Sequence, residues 1–62
     1  MNRIQEVLDQ KGITQTWLAE MCGKSYNMVN SYCCNRRQPS LLTLFDIAGL
    51  LEVSPKDLLN DK

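Results

Sequence analysis

Residues 14–34 read TQTWLAEMCGKSYNMVNSYCC, and this stretch decides the fold. Thr14 is a residue type that caps helices, and Leu18, Ala19 and Cys22 after it share one face at helical spacing. The predicted helix runs from about Gln15 to Cys22, where Gly23 is a natural left-handed stop. Only Lys24 separates that stop from Ser25, the next capping residue. A further helix is predicted from about Tyr26 to Cys34, ended by Asn35, the best non-glycine residue for a left-handed backbone. Two short helices joined through so tight a glycine turn form a helix-turn-helix unit over about residues 14–34.

Working outward, a first helix is expected from about Arg3 to Gln10. Asn2 would cap it, and Gln5 at its third position would form a variant capping box. Ile4, Val7 and Leu8 make its apolar stripe, and Gly12 ends it. Ile13 is placed to staple onto Leu18. Beyond the central unit, Ser40 caps a fourth helix, Leu41 to Leu51, with Leu44, Ile47, Ala48 and Leu51 on its core face. A short fifth helix is expected from Pro55 to Leu59. Ser54 is its cap, Pro55 takes the favoured first position, Asp57 completes a box, and Val53 staples onto Leu58. No β alternation of useful length, repeat or low-complexity stretch appears. The expected fold is all-α, with five helices and very short links.

The chain of 62 residues is read as one domain, 1–62. It has no apolar run long enough to span a membrane and no signal-peptide layout at its start, so a cytoplasmic location is expected. Cys22, Cys33 and Cys34, with no histidine, make neither a disulfide framework nor the usual four-ligand zinc set. Three reduced thiols, no metal and no cofactor are expected. Net charge is zero, but its distribution is uneven: residues 21–45 carry Lys24, Arg36 and Arg37 and no acid. That middle stretch alone would welcome a phosphate backbone, although a solvated loop would look the same.

On a wheel of about 100° per residue, Val29 and Tyr32 fall on the core side of helix three, with Met28 beside them. The opposite side collects Asn27, Asn30, Ser31 and Cys34, with Tyr26 at its N-terminal edge. Solvated helix faces usually carry Lys and Glu, which are better helix formers than Asn and Ser. An uncharged face of amides and hydroxyls matches the mixed donors and acceptors of base edges in a major groove. The plainer alternative is a merely polar surface. Gln15, with nearby backbone N–H groups, and Arg36 with Arg37 would flank this face with groups able to hold phosphates.

The segments Gly12–Glu20, Gly23-Lys24-Ser25 and Pro39–Leu44 resemble the lambda-repressor-like, Cro/cI-type (XRE) helix-turn-helix family. So do Ile47-Ala48, then Leu51, Val53 and Leu58-Leu59. The likeness covers about Ile4 to Leu59. It implies a five-helix domain, often dimeric, that binds double-stranded operator DNA and regulates transcription as a repressor or as a controller or antitoxin component. By matching position it implies base reading by Tyr26, Asn27 and Ser31, with Asn30 between them. It implies backbone contacts from Thr14, Gln15, Lys24, Ser25, Arg36, Arg37 and Gln38, with Gln15 also bracing base-reading side chains. Cys34 and Asn35 stand where many relatives have asparagine and glycine, and Lys24 replaces a commonly apolar turn residue. Tyr26 is large for its position. It can meet a thymine methyl, meet a phosphate, or pack on the turn.

Two apolar features lie off the core faces. Trp17, beside Met21, is either a partly buried lid on helix one or four or a partner contact. Leu42 and Phe45, with Gly49 between and above them, form a second strip on helix four. It marks either a homodimer contact, expected on a palindromic operator, or side chains folded back on helix five or one. A protein-interaction module without DNA binding is the alternative function, and a thiol switch at Cys33–Cys34 is a third. No nucleophile–base pair or ligand-sized core supports an enzyme or a small-molecule substrate.

Overall fold

The computed structural model describes residues 2–59; the single domain read over 1–62 therefore includes Met1 and residues 60–62, outside the described part. The chain is all-α: α1 (Ile4–Lys11), α2 (Gln15–Cys22), α3 (Tyr26–Cys33) and α4 (Leu41–Leu51), then one 3-10 turn, Pro55–Leu58. Side chains from every element meet in one core, where Ile4, Leu8, Leu18, Val29, Ile47, Leu51 and Leu58 are fully buried. Each contributes roughly 1.5–3 kcal/mol by leaving water. Ile13, Cys22, Met28 and Val53 pack partly buried against that core.

The caps explain why the helices start where they do. The hydroxyls of Thr14, Ser25 and Ser40 accept from the N–H groups of Trp17, Met28 and Thr43. The expected fifth helix is corrected to the 3-10 turn. The Asp57 carboxylate accepts the Ser54 N–H at 3.1 Å, as in a capping box. Leu59, however, leaves helical geometry (φ −97°, ψ 146°) to form an antiparallel bridge with Asn2. Four residues that begin at a proline and run straight into an extended bridge leave room only for i→i+3 bonds. Helix three likewise stops one residue early, at Cys33, because Cys34 already has ψ near 2°.

Asn2 ties the first part of the described chain to the rest of the fold. Its Oδ1 accepts the Ile4 N–H at 3.0 Å, capping α1 from one residue outside. Its Nδ2 donates to the Tyr32 carbonyl (2.9 Å) and to Gln38 Oε1 (3.0 Å). Its own N–H donates to Asn35 Oδ1 at 2.7 Å, and the next N–H, that of Arg3, donates to the Leu58 carbonyl. Asn35 holds the left-handed backbone expected of it (φ 60°), so its amide is pinned by the loop as well as by Asn2. Among the described residues, every buried side-chain nitrogen or oxygen has a partner.

Candidate nucleic-acid interface

The tight turn at Gly23 (φ 70°) sets α2 against α3 and leaves one long side of α3 uncovered. That side carries Tyr26, half exposed at 51%, with Asn27 and Cys34 exposed and Asn30 and Ser31 partly buried. Lys24, Ser25, Arg36 and Arg37 are exposed beside it in the turn and in the loop after α3. The sequence-expected readers thus share one face, bordered by the three cations of the acid-free stretch.

The expected backbone-contact residues differ in what they have left to offer. Thr14 and Ser25 use a hydroxyl lone pair on their own helices, at 3.0 and 3.1 Å, and keep the O–H as a donor for an anion. Gln38 is drawn the other way. Its Oε1 accepts from Asn2 and its Nε2 donates to Asn35 Oδ1 at 3.2 Å, so its amide serves the clasp around Asn2.

Gln15 and Asn30 belong to a chain of side-chain bonds that runs along the edge of this face. Arg36 Nη2 donates to Asn30 Oδ1 at 2.8 Å. Asn30 Nδ2 donates to Gln15 Oε1 at 2.9 Å. Gln15 Nε2 donates to Gln5 Oε1, and Gln5 Nε2 to Asp9 Oδ1 at 2.8 Å. Sequence reasoning missed two members. Gln5 was expected to turn back as a capping-box residue, but its amide faces Gln15 and Asp9. Asp9 carried no signal beyond its i+4 spacing from Gln5.

The thiols are unequal. Cys33 is buried, and its thiol is pushed up to about 11 by desolvation, then by the neighbouring Cys34 and Asp9. At neutral pH it is a protonated, unreactive group, which disfavours a switch built on this pair. Cys34 is exposed, with Sγ 3.8 Å from Asn30 Oδ1. Among the described residues no cluster of three or more His, Cys, Asp or Glu is placed to hold a metal ion.

The second apolar strip faces outward. Leu42 is 77% exposed and Phe45 49%, so neither folds back into the core. Phe45 and Gly49 line a shallow groove with Met21, Cys22, Asp46 and Leu50, and a Cβ on Gly49 would meet nothing within 4 Å. Trp17 is 38% exposed over a hollow shared with Gly12, Ile13 and Thr14. It therefore lies beside the turn that follows α1, only partly covered.

Comparison with known proteins agrees with this geometry. A helix-turn-helix family model matches residues 4–58. A candidate DNA-binding protein from Bacteroides fragilis has a crystal structure 48% identical to this chain. It superposes with a TM-score of 0.95 over 97% of both chains. The restriction-modification controller protein C.AhdI from Aeromonas hydrophila is 28% identical, with a TM-score of 0.84 over 92% of this chain and 86% of its own. The N-terminal DNA-binding domain of SinR from Bacillus subtilis is 31% identical, with a TM-score of 0.81 over 97% and 88%. A search of curated protein sequences finds no significant match. With the family model spanning all four helices and the solved relatives superposing over nearly the whole chain, the chain belongs to the helix-turn-helix family of Cro/cI (XRE) type.

Proposed function

We propose that this protein is a sequence-specific DNA-binding regulator of transcription that places α3 in the major groove. The observation that carries the reading is the composition of the open face: amides and hydroxyls at its centre, cations at its border. Tyr26, Asn27, Asn30 and Ser31 form the base-facing set. Thr14, Gln15, Lys24, Ser25, Arg36 and Arg37 position the backbone, while Gln38 acts through the loop it holds. The reading assigns no catalysis, metal or cofactor, and it places the protein in the cytoplasm, where operators are. No helix among the described residues is long and apolar enough to cross a membrane. The likeness to a restriction-modification controller favours a controller or repressor role.

The test begins with duplexes enriched from a randomised pool by the wild-type protein. Asn27→Ala should relax preference at one or two base positions by about 1–3 kcal/mol. Replacing Arg36 and Arg37 together with alanine should weaken binding to all duplexes and flatten the dependence of affinity on salt. Unchanged preference and unchanged slope would remove these residues from the interface. A fold that binds no duplex at all would favour the protein-interaction alternative.

The same reading includes a homodimer on a palindromic site, since two such modules would meet half-sites about one helical turn apart. Leu42, Phe45 and Gly49, at i, i+3 and i+7, are exposed on one side of α4 and support it. Gly49→Ala should leave the fold intact, because the space is open, yet weaken cooperative binding. Unaltered cooperativity would move the contact elsewhere.

A further inference from the structure

The bonds that join Asp9, Gln5, Gln15, Asn30 and Arg36 have a direction. A guanidinium only donates and a carboxylate only accepts, whereas each amide between them has one end of each kind. With Arg36 at one end and Asp9 at the other, only one orientation of Asn30, Gln15 and Gln5 satisfies all four bonds. Turning any amide over would set nitrogen against nitrogen on one of its sides and oxygen against oxygen on the other.

Orientation matters because the two ends of an amide are nearly equal in size but opposite in hydrogen-bonding sense. A reversed Asn30 would offer an acceptor where a base requires a donor. The Arg36 end is exposed to the anion it is expected to meet. Once a phosphate competes for that guanidinium, the Asp9 end still enforces the direction, and the only donor left to Asn30 Oδ1 among these bonds is the weak Cys34 thiol at 3.8 Å. Gln5 and Asp9 lie on α1, outside the helix-turn-helix and outside the set expected to touch DNA.

We infer that Gln5 and Asp9 are positioning residues for sequence discrimination: through Gln15 they fix which way Asn30 presents its amide to the base edges. The inference rests on the base-reading assignment of α3. It predicts that α1 changes which sequence is preferred without changing how strongly DNA is held in general. Such a separation is foreign to a purely structural helix, whose loss would lower stability and all binding together.

The experiment compares wild type, Gln5→Leu and Asp9→Asn on two duplexes: the site enriched by wild type from a random pool, and a scrambled duplex of the same composition. Gln5→Leu should cut the ratio of the two affinities about fivefold to tenfold, with affinity for the scrambled duplex and the thermal midpoint unchanged. Asp9→Asn keeps an acceptor but loses the one-way end, and should cut the ratio about threefold. In the DNA-free proteins, the side-chain NH2 resonances of Gln15 and Asn30 should move in both variants. Side-chain resonances that stay in place, or variants that discriminate as well as wild type, would overturn the inference. A wild type that enriches no sequence would instead sink the base-reading assignment and the inference with it.

Discussion

Two amide clusters meet α3, one at the side chain of Asn30 and one at the Tyr32 carbonyl and the loop beyond it, and their contrast separates what holds this fold from what the fold presents. Around Asn2, three carboxamides join in a knot whose centre is enclosed: Asn2 is buried, and it bonds the partly buried Asn35, the exposed Gln38 and the Tyr32 carbonyl. Along Gln5, Gln15 and Asn30, three others lie partly open to solvent and end on exposed charges. The chemistry is the same, but the cost of breaking it is not. A polar group stranded in the enclosed knot loses both its partner and water, whereas one in the open relay regains water. On the proposed reading of α3, the first cluster is therefore a matter of stability and the second of recognition.

The largest effect should come from Asn2→Ala. It removes the cap on Ile4 and leaves the buried Tyr32 carbonyl without that donor, at about 2–3 kcal/mol of stability. Chemical denaturation would measure the loss, and DNA preference below the unfolding transition should be unaffected. A loss under about half a kcal/mol would mean that water replaces this side chain and the knot is not a structural element.

Gln15→Ala tests the other cluster. Its partners Gln5 and Asn30 are only partly buried and can turn to water, so the unfolding midpoint should move little, while affinity for the enriched duplex should fall about tenfold. A large stability loss with intact binding by the surviving folded fraction would reverse the contrast between the clusters.

The smallest effect is a gain. Asn35 and Glu52 both adopt left-handed backbone, at φ 60° and 57°. Asn35 offsets that strain with its bonds to Asn2 and Gln38. Glu52 has no side-chain hydrogen bond among the described residues and lies exposed at the end of α4. Glu52→Gly should therefore stabilise the protein by about 1 kcal/mol, whereas Asn35→Gly should destabilise it. Thermal melts of the two variants shifting in the same direction would show that the Asn35 bonds contribute nothing beyond backbone fit.

The sequence by itself determined the helices, and the reason is local. Caps such as Thr14, Ser25 and Ser40 and stops such as Gly12, Gly23 and Asn35 act within a few residues of their own position. Apolar spacing then placed Leu18, Val29 and Ile47 inside and Asn27 and Tyr26 outside. What only the tertiary structure decided is where long polar side chains spend their bonds. Gln5 was legible as a helix-start residue, but its partner Gln15 is ten positions away and comes within reach only when the fold brings the start of α2 beside α1. Asn2 meets Asn35 across 33 positions and Leu59 at the other end of the described chain, and that second meeting turns an expected fifth helix into a single 3-10 turn. Periodicity reports which face a residue occupies, because burial is set by the helix it sits on. It does not report which of several exposed amides will pair, because that depends on distances no local pattern contains.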